Sequence, residues 1–197
     1  MGAANRLDRQ PTRDETNMGD IWVSEIVQPS QTRQGVAMDD TISMRPIGVV
    51  RSPRVEPKGT PIQGVFAEDT EGIVELKPKY AEGLKDLDGF SHAILIYLFH
   101  KSDEERLVGK PYLEDEEHGI FSIRGPHRPN HIGLSVVRIR GVEGCNLRFS
   151  EVDILDGTPI LDIKPYVRQF DSRNDAVGGW IEKHFQKDGP ALGVIVE

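Results

Sequence analysis

Residues 92–100 read HAILIYLFH. Ala93–Phe99 is the longest apolar run in the chain, and seven residues suit a strand rather than a helix. Its apolar side chains fall at both parities, so a strand here would bury both of its faces. That demand is met at the centre of a sheet or in the wall of a barrel, not at a half-solvated edge.

The segments around it have the same grain. Arg45–Arg51 (RPIGVVR) and Gly72–Leu76 (GIVEL) precede it as short β runs, and Pro159–Val167 closes the series. Gly119–Ile123 and Leu134–Val142 read as two more strands flanking a loop. Asn146–Leu155 (NLRFSEVDIL) alternates, placing Leu147, Phe149, Val152 and Ile154 mostly inside, with a bulge expected at Ser150–Glu151 where the phase slips. Lys79–Leu87 (KYAEGLKDL) reads as a short helix, with Tyr80, Leu84 and Leu87 spaced to share one face. Ala176–Gln186 predicts a second, C-terminal helix. Strands recurring through residues 45–167 with so little helix predict a mainly all-β fold, a small antiparallel β-barrel with one or two short helices.

Residues 1–44 are polar and aperiodic, and read as a largely disordered extension in which Ile21–Val27 could pair as a strand. Met38 and Met44 are plausible alternative starts. The expected organisation is therefore an extension over 1–44, the barrel over 45–168, and a C-terminal tail over 169–197.

A chain of 197 residues suffices for one sizeable core. No run approaches the roughly 18 apolar residues of a membrane helix. The start MGAANRLDRQ has no apolar core of a secretory signal, and Arg6 stands where a myristoylation motif wants Ser or Thr. The single cysteine, Cys145, excludes an internal disulfide and fits a reducing cytoplasm.

The formal net charge of −8 argues against a general nucleic-acid binder. Its distribution is uneven, however. Gly119–Arg140 holds Arg124, Arg128, Arg138 and Arg140 with no acid at all, beside acidic runs at Asp103–Glu105 and Glu114–Glu117.

That basic stretch contains GIFSIRGPHRPNHIGLS, residues 119–135. Pro126 and Pro129 fix φ and stiffen the segment before any ligand arrives. Arg124 and Arg128 present planar forks for carboxylate or phosphate, and Asn130 can both donate and accept. Two readings stand side by side: a preorganised binding loop, or a rigid connection whose arginines pair with Glu114–Glu117. The DGTP stretch, Asp156–Pro159, is either an ordinary turn or a tight turn whose amides and Thr158 hydroxyl bind a ligand edge. His100 and Lys101, at a strand's mouth, are either solvated or turned to a site. His92, His118 and His184 have no evident partner, and no metal is expected because ligand spacing is lacking. Phosphate loops, GxGxxG and Ser-His-Asp signatures are absent too.

Taken together, IGVVRSP (47–53), PIQG (61–64), GFSHAILIYLFHK (89–101), GIFSIRGPHRPNHIGLSVVRI (119–139) and DGTPILDIKPYV (156–167) resemble, in order and spacing, the TrmO family of tRNA methyltransferases, also called YaeB-like or VirR-like proteins. The resemblance implies a β-barrel that binds S-adenosylmethionine without a Rossmann fold, as a homodimer. It implies methyl transfer to N6 of threonylcarbamoyladenosine beside the anticodon of tRNA. Carried over position by position, the cofactor contacts are Pro61, Ile62 and Gln63; His100 and Lys101; Arg124; Leu134; and Asp156, Gly157, Thr158 and Pro159. His100, Asp156 and His127 are the candidate bases, and Arg128, Asn130 and Arg138 the candidate contacts to the tRNA anticodon loop. Ile62 stands where the family commonly has Arg, His131 replaces the second proline of RPNPIG, and the C-terminal domain of longer members is expected to be missing. Other readings are a cofactor-binding barrel with no catalysis, or methylation of a different acceptor.

Overall fold

Antiparallel pairing closes six strands into a barrel in the order β1-β2-β7-β6-β3-β8. The structure is a computed structural model that describes residues 41–67 and 69–185. The strands are β1 (Gly48–Arg51), β2 (Glu71–Leu76), β3 (His92–Leu98), β6 (Ile132–Glu143), β7 (Asn146–Ser150) and β8 (Pro159–Pro165). Two further short strands, β4 (Val108–Gly109) and β5 (His118–Gly119), pair only with each other. All this belongs to the unit that begins at Met44. The expected N-terminal extension, its candidate strand Ile21–Val27 included, lies outside the described residues except for 41–44, and so does Gln186. No helix among the described residues is long and apolar enough to cross a membrane.

The HAILIYLFH segment becomes β3, bonded to β6 on one side and β8 on the other. Its alternation resolves into Ala93, Leu95 and Tyr97 inside the barrel and Ile94, Ile96 and Leu98 half-buried outside. Val50, Val74, Val137, Leu147, Phe149 and Ile160 complete the interior from the other strands, all fully buried. Each such side chain contributes about 1.5–3 kcal/mol by leaving water, so the interior supplies most of the drive for closure.

The phase slip in NLRFSEVDIL is real. The strand ends at Ser150 and Glu151 takes φ +69°, after which Val152 and Ile154 still reach the core. Left-handed backbone is costly for a β-carbon residue, and here it is held by an ion pair in which Arg138 Nε donates to Glu151 Oε1 at 3.0 Å.

Three expected elements differ in form. Pro78–Leu84 and Leu87–Gly89 are 3₁₀ helices, not an α-helix, broken at Asp86 with φ +64°. Leu84 and Leu87 are both buried in the core; dropping both into it leaves too few residues for a stable α-helical nucleus. Gly119–Ile123 is not a strand beyond Gly119; Ile120–Ser122 form a 3₁₀ turn with Ile120 buried and Phe121 77% exposed. A strand needs a neighbour to take its backbone bonds, and β4 offers only two residues. The C-terminal helix is likewise a 3₁₀ helix, Gly179–His184, preceded by one α-helical turn at Arg168–Asp171.

Candidate functional site

Because neighbouring strands run antiparallel, the ends of β1, β3 and β7 and the starts of β2, β6 and β8 meet at one mouth of the barrel. Three connections therefore share that mouth: 52–70, 99–131 and 151–158. Every candidate cofactor residue except Leu134 and Pro159 lies in one of them, and these two begin β6 and β8 at the same end. A groove lined by Leu76, Tyr80, Leu84, Phe90 and Ile163 lies, by contrast, at the opposite mouth, far from these residues.

Two hydrogen bonds bring the candidates together across the chain. Arg124 Nη1 donates to Gln63 Oε1 at 3.0 Å, joining the 119–135 loop to the PIQG turn. Thr158 Oγ1 and His100 Nδ1 lie 3.2 Å apart, joining the DGTP turn to the end of β3. Lys101 Nζ reaches across to the Val55 carbonyl at 2.5 Å. Burial and the Lys101 charge hold the His100 imidazole below its ordinary pKa, against an opposing pull from Asp156. It is therefore neutral at neutral pH and free to accept a proton.

The DGTP turn is stitched to the end of β1. Asp156 N donates to Arg54 O at 2.6 Å, Gly157 N to Val50 O at 2.9 Å, and Ser52 N to Asp156 Oδ1 at 3.1 Å. Gly157 takes φ +78°, which only glycine adopts without strain. The amide of Thr158 is spent on Leu155 O at 3.3 Å. The amides of this turn are thus committed inside the protein, which corrects the expectation that they face a ligand. The Thr158 hydroxyl, shared with His100, and one carboxylate oxygen of Asp156 stay at the mouth.

Other candidates are held elsewhere. His127 Nδ1 pairs with Ser102 Oγ at 3.1 Å rather than with His100 or Asp156. Arg128 Nη1 folds back onto the Ile123 carbonyl at 2.9 Å, and Asn130 is exposed at φ +64°. Arg138 sits on the outer face of β6 in its pair with Glu151. Leu134, 48% exposed, also points outward, opposite Ile96. Pro61 is buried and Ile62 half-buried.

The alternative in which the loop arginines balance Glu114–Glu117 does not occur. Glu114 is taken by His118, Lys183 and His184, with His184 Nε2 2.9 Å from Glu114 Oε2. Trp180 stacks on His118 at 4.5 Å and donates from Nε1 to the Ser122 carbonyl at 2.9 Å. So two of the unassigned histidines clasp the C-terminal 3₁₀ helix to the loop that leads into Arg124. His92 pairs with Ser91 Oγ at 2.8 Å. Glu114, Glu116 and His118 have ligand atoms within 4.8 Å of one another, but the Lys183 ammonium already sits on Glu114.

Residues 49–172 match the family model described as the tRNA-methyltransferase O N-terminal domain. The chain belongs to the tRNA-methyltransferase O family. A Pyrococcus abyssi protein named a probable S-adenosyl-L-methionine-binding protein is 53% identical over 146 residues, covering 74% of this chain and 79% of that one. The mouse protein named tRNA (adenine(37)-N6)-methyltransferase is 37% identical over 134 residues, 64% of this chain but 31% of its own length. The crystal structure of TrmO from Pseudomonas aeruginosa matches with a TM-score of 0.62 at 40% identity, covering 72% of this chain and 63% of that one. The mainly β barrel is thus the architecture of a tRNA-methyltransferase O member. The chain spans less than two thirds of the solved TrmO chain and about a third of the mouse enzyme.

One group at the mouth went unread in the sequence. Asp153 accepts from Ser135 Oγ at 2.7 Å and from Gly64 N at 3.0 Å, and Ser135 Oγ lies 3.1 Å from Tyr97 OH. Burial pushes the Asp153 carboxyl up to about 6 and the Tyr97 phenol well above its usual value. Strand alternation places Asp153 opposite the inward Val152 and Ile154, so parity marks it as solvent-facing. It is instead half-buried, because the Pro61–Gly64 turn and Ser135 of β6 close onto it.

Proposed function

We propose that the mouth of the barrel binds S-adenosylmethionine and that the protein transfers its methyl group to N6 of threonylcarbamoyladenosine next to the anticodon of tRNA. The observation that carries this reading is the convergence of Gln63, His100, Arg124 and Asp156–Thr158, from three separate connections, in a member of the tRNA-methyltransferase O family. The names of the Pyrococcus and mouse relatives support the cofactor and the acceptor respectively.

The donor set fits that cofactor. Arg124 spends one nitrogen on Gln63, which fixes its fork, and keeps the rest for a carboxylate. Asp156 keeps one oxygen for an ammonium or a ribose hydroxyl. Exposed Leu134 offers an apolar contact. When bound, S-adenosylmethionine supplies an electrophilic methyl group. Acceleration then comes mainly from holding the acceptor nitrogen in line with that methyl. As the bond from N6 to the methyl carbon formed and the methyl–sulfur bond broke, the N6 proton would pass to the neutral His100, with Asp156 the next candidate and His127 remote. Arg128 and Asn130, at the rim of the 119–135 loop, contact the anticodon loop, with Lys101 beside them; Arg138 does so at the expense of its pair with Glu151.

The assembly proposed is a homodimer. Leu134 and Val136 on β6 face outward beside Ile94 and Ile96 on β3, an apolar strip edged by Asp162, Lys164 and Arg138. A Leu134→Glu chain that remained a dimer by light scattering would overturn that part. The setting proposed is the cytoplasm, which suits free Cys145.

The test is incubation of pure protein with methyl-labelled cofactor and total tRNA, followed by digestion to nucleosides. Label in N6-methylated threonylcarbamoyladenosine is expected; cofactor binding without label in any nucleoside would overturn it. That second outcome is the non-enzymatic cofactor-binding reading, which the naming of the Pyrococcus relative favours.

A further inference from the structure

The PIQG turn is held by something other than its own residues. A β-carbon at Gly64 would lie 2.0 Å from the Glu151 carbonyl oxygen, so the turn's backbone is pressed directly onto the segment that leaves β7. The Gly64 amide ends on Asp153 Oδ2 at 3.0 Å, and the other oxygen, Oδ1, takes the Ser135 hydroxyl at 2.7 Å. Ser135, 4% exposed, is inside the barrel on β6 and lies 3.1 Å from the phenol of Tyr97, the inward residue nearest the mouth on β3. The preceding residue, Gln63, is the one that fixes Arg124.

We infer that Asp153 is a positioning residue of the cofactor site: its carboxylate ties the Pro61–Gly64 turn to the mouth ends of β3 and β6, and so decides where Gln63 meets Arg124. The inference rests on the cofactor reading above. Asp153 touches neither Gln63 nor Arg124 through a hydrogen bond, and both its oxygens are already occupied, so it acts through the turn rather than on a ligand. The partners are chosen for the anionic form. A carboxylate accepts from two donors at once, whereas a proton on Oδ2 would meet the Gly64 N–H head-on. The charged or titratable groups that face it are Tyr97 from β3 and Arg124 from the loop. Burial raises its pKa, and the bonds from Ser135 and Gly64 oppose that rise by favouring the anion.

The test compares Asp153→Ala with Asp153→Asn by calorimetric titration with S-adenosylmethionine and by amide exchange at Gly64. Losing one hydrogen bond that anchors the turn should weaken binding by about tenfold in Asp153→Ala. The Gly64 amide should exchange faster in step. Asp153→Asn keeps an acceptor for Gly64 and a polar partner for Ser135, and should bind within about threefold of the wild type at pH 7.5. Between pH 5 and 7.5 its affinity should lack the fall that protonation of Asp153 causes in the wild type.

A folded Asp153→Ala protein with unchanged affinity and unchanged Gly64 exchange overturns the inference. So does an Asp153→Asn protein as weak as Asp153→Ala with Gly64 still protected, since the charge itself would then be what the ligand needs. If Asp153→Ala does not fold, Ser135→Ala replaces it; faster exchange at Gly64 supports the tie and wild-type exchange refutes it. A wild-type protein that binds no S-adenosylmethionine removes the functional reading instead, and Gly64 exchange in the two variants still decides whether Asp153 holds the turn.

Discussion

Arg124 and Gln63, 61 positions apart, are joined by a 3.0 Å hydrogen bond at the mouth of the barrel. The bond turns a flexible arginine into a directed fork, and its cost in side-chain entropy is met before a ligand arrives. Arg124→Ala should therefore weaken S-adenosylmethionine binding by about 10–100-fold, the range for a hydrogen bond to a charged group. Gln63→Ala should cost less. The double variant should fall short of the product of the two, because the second loss has nothing left to orient. Calorimetric titration of the four proteins checks this, and simple multiplicativity would separate the two residues.

His100 carries a second prediction. Its pKa is lowered by burial and by Lys101, so the neutral imidazole persists below the usual value of 6.5. If it takes the N6 proton, the acid limb of the methyl-transfer rate should fall below pH 6.5, with activity rising as pH increases through it. At saturating cofactor, His100→Gln should lower the rate by about 100-fold or more, beyond whatever it costs in cofactor affinity. A pH–rate profile whose acid limb survives that substitution would assign the limb to another group.

Asp153 makes stability depend on pH in the direction opposite to most carboxylates. Below about pH 4 both folded and unfolded chains hold its proton. Between 3.8 and about 6 only the folded chain does, so stability falls as pH rises through this window. Above it the folded state carries an ionised, enclosed carboxylate at a cost of about 3 kcal/mol relative to an ordinary one. Asp153→Asn should flatten the urea midpoint between pH 4 and 6, read against the wild-type curve.

The C-terminal clasp predicts an acid transition. Lys183, His118 and His184 hold Glu114 down to about 2, so the clasp is complete above its ordinary 4.5 and weakens as pH falls from there toward 2. In a Trp22→Phe background, Trp180 fluorescence should shift to the red over that range. Glu114→Gln should show the shifted spectrum already at pH 7. A spectrum unchanged by both would mean that the helix docks without Glu114.

His131 adopts φ +48°, and its amide donates to the Arg128 carbonyl at 3.0 Å. Proline can do neither, so His131→Pro should destabilise the protein by about 3 kcal/mol even though the resembling family carries proline there. Thermal unfolding decides it. A melting point equal to the wild type would show that the loop re-forms around the ring.

How much of this was legible depended on range. Period-2 alternation marked the barrel strands because each inward residue has to leave water whatever its neighbours are. The slip at Ser150–Glu151 was visible for the same reason: a broken alternation needs a local backbone answer, and Glu151 supplies it. The spacing of Tyr80, Leu84 and Leu87 marks a short helix and its burial, while its 3₁₀ form and the break at Asp86 come from a connection too short for a stable α-helical nucleus. At the mouth, types and motifs were legible while partners were not. Arg124 could equally have met Glu114, and Asp153 looked solvated, since nothing local says which loop will fold over a carboxylate.

By itself, then, the amino-acid sequence determined a closed sheet of short strands, a stiff basic loop and the family to which both belong. Those follow from local rules of burial, backbone freedom and motif order. Only the tertiary structure decided that Gln63 fixes Arg124, that His100 shares Thr158, that Glu114 serves the C-terminal helix, and that Asp153 anchors Gly64. Each is a contact between residues far apart in the chain or on different loops. All but the Glu114 clasp exist because closing the barrel brings three connections to a single mouth, where directional bonds select one partner among several.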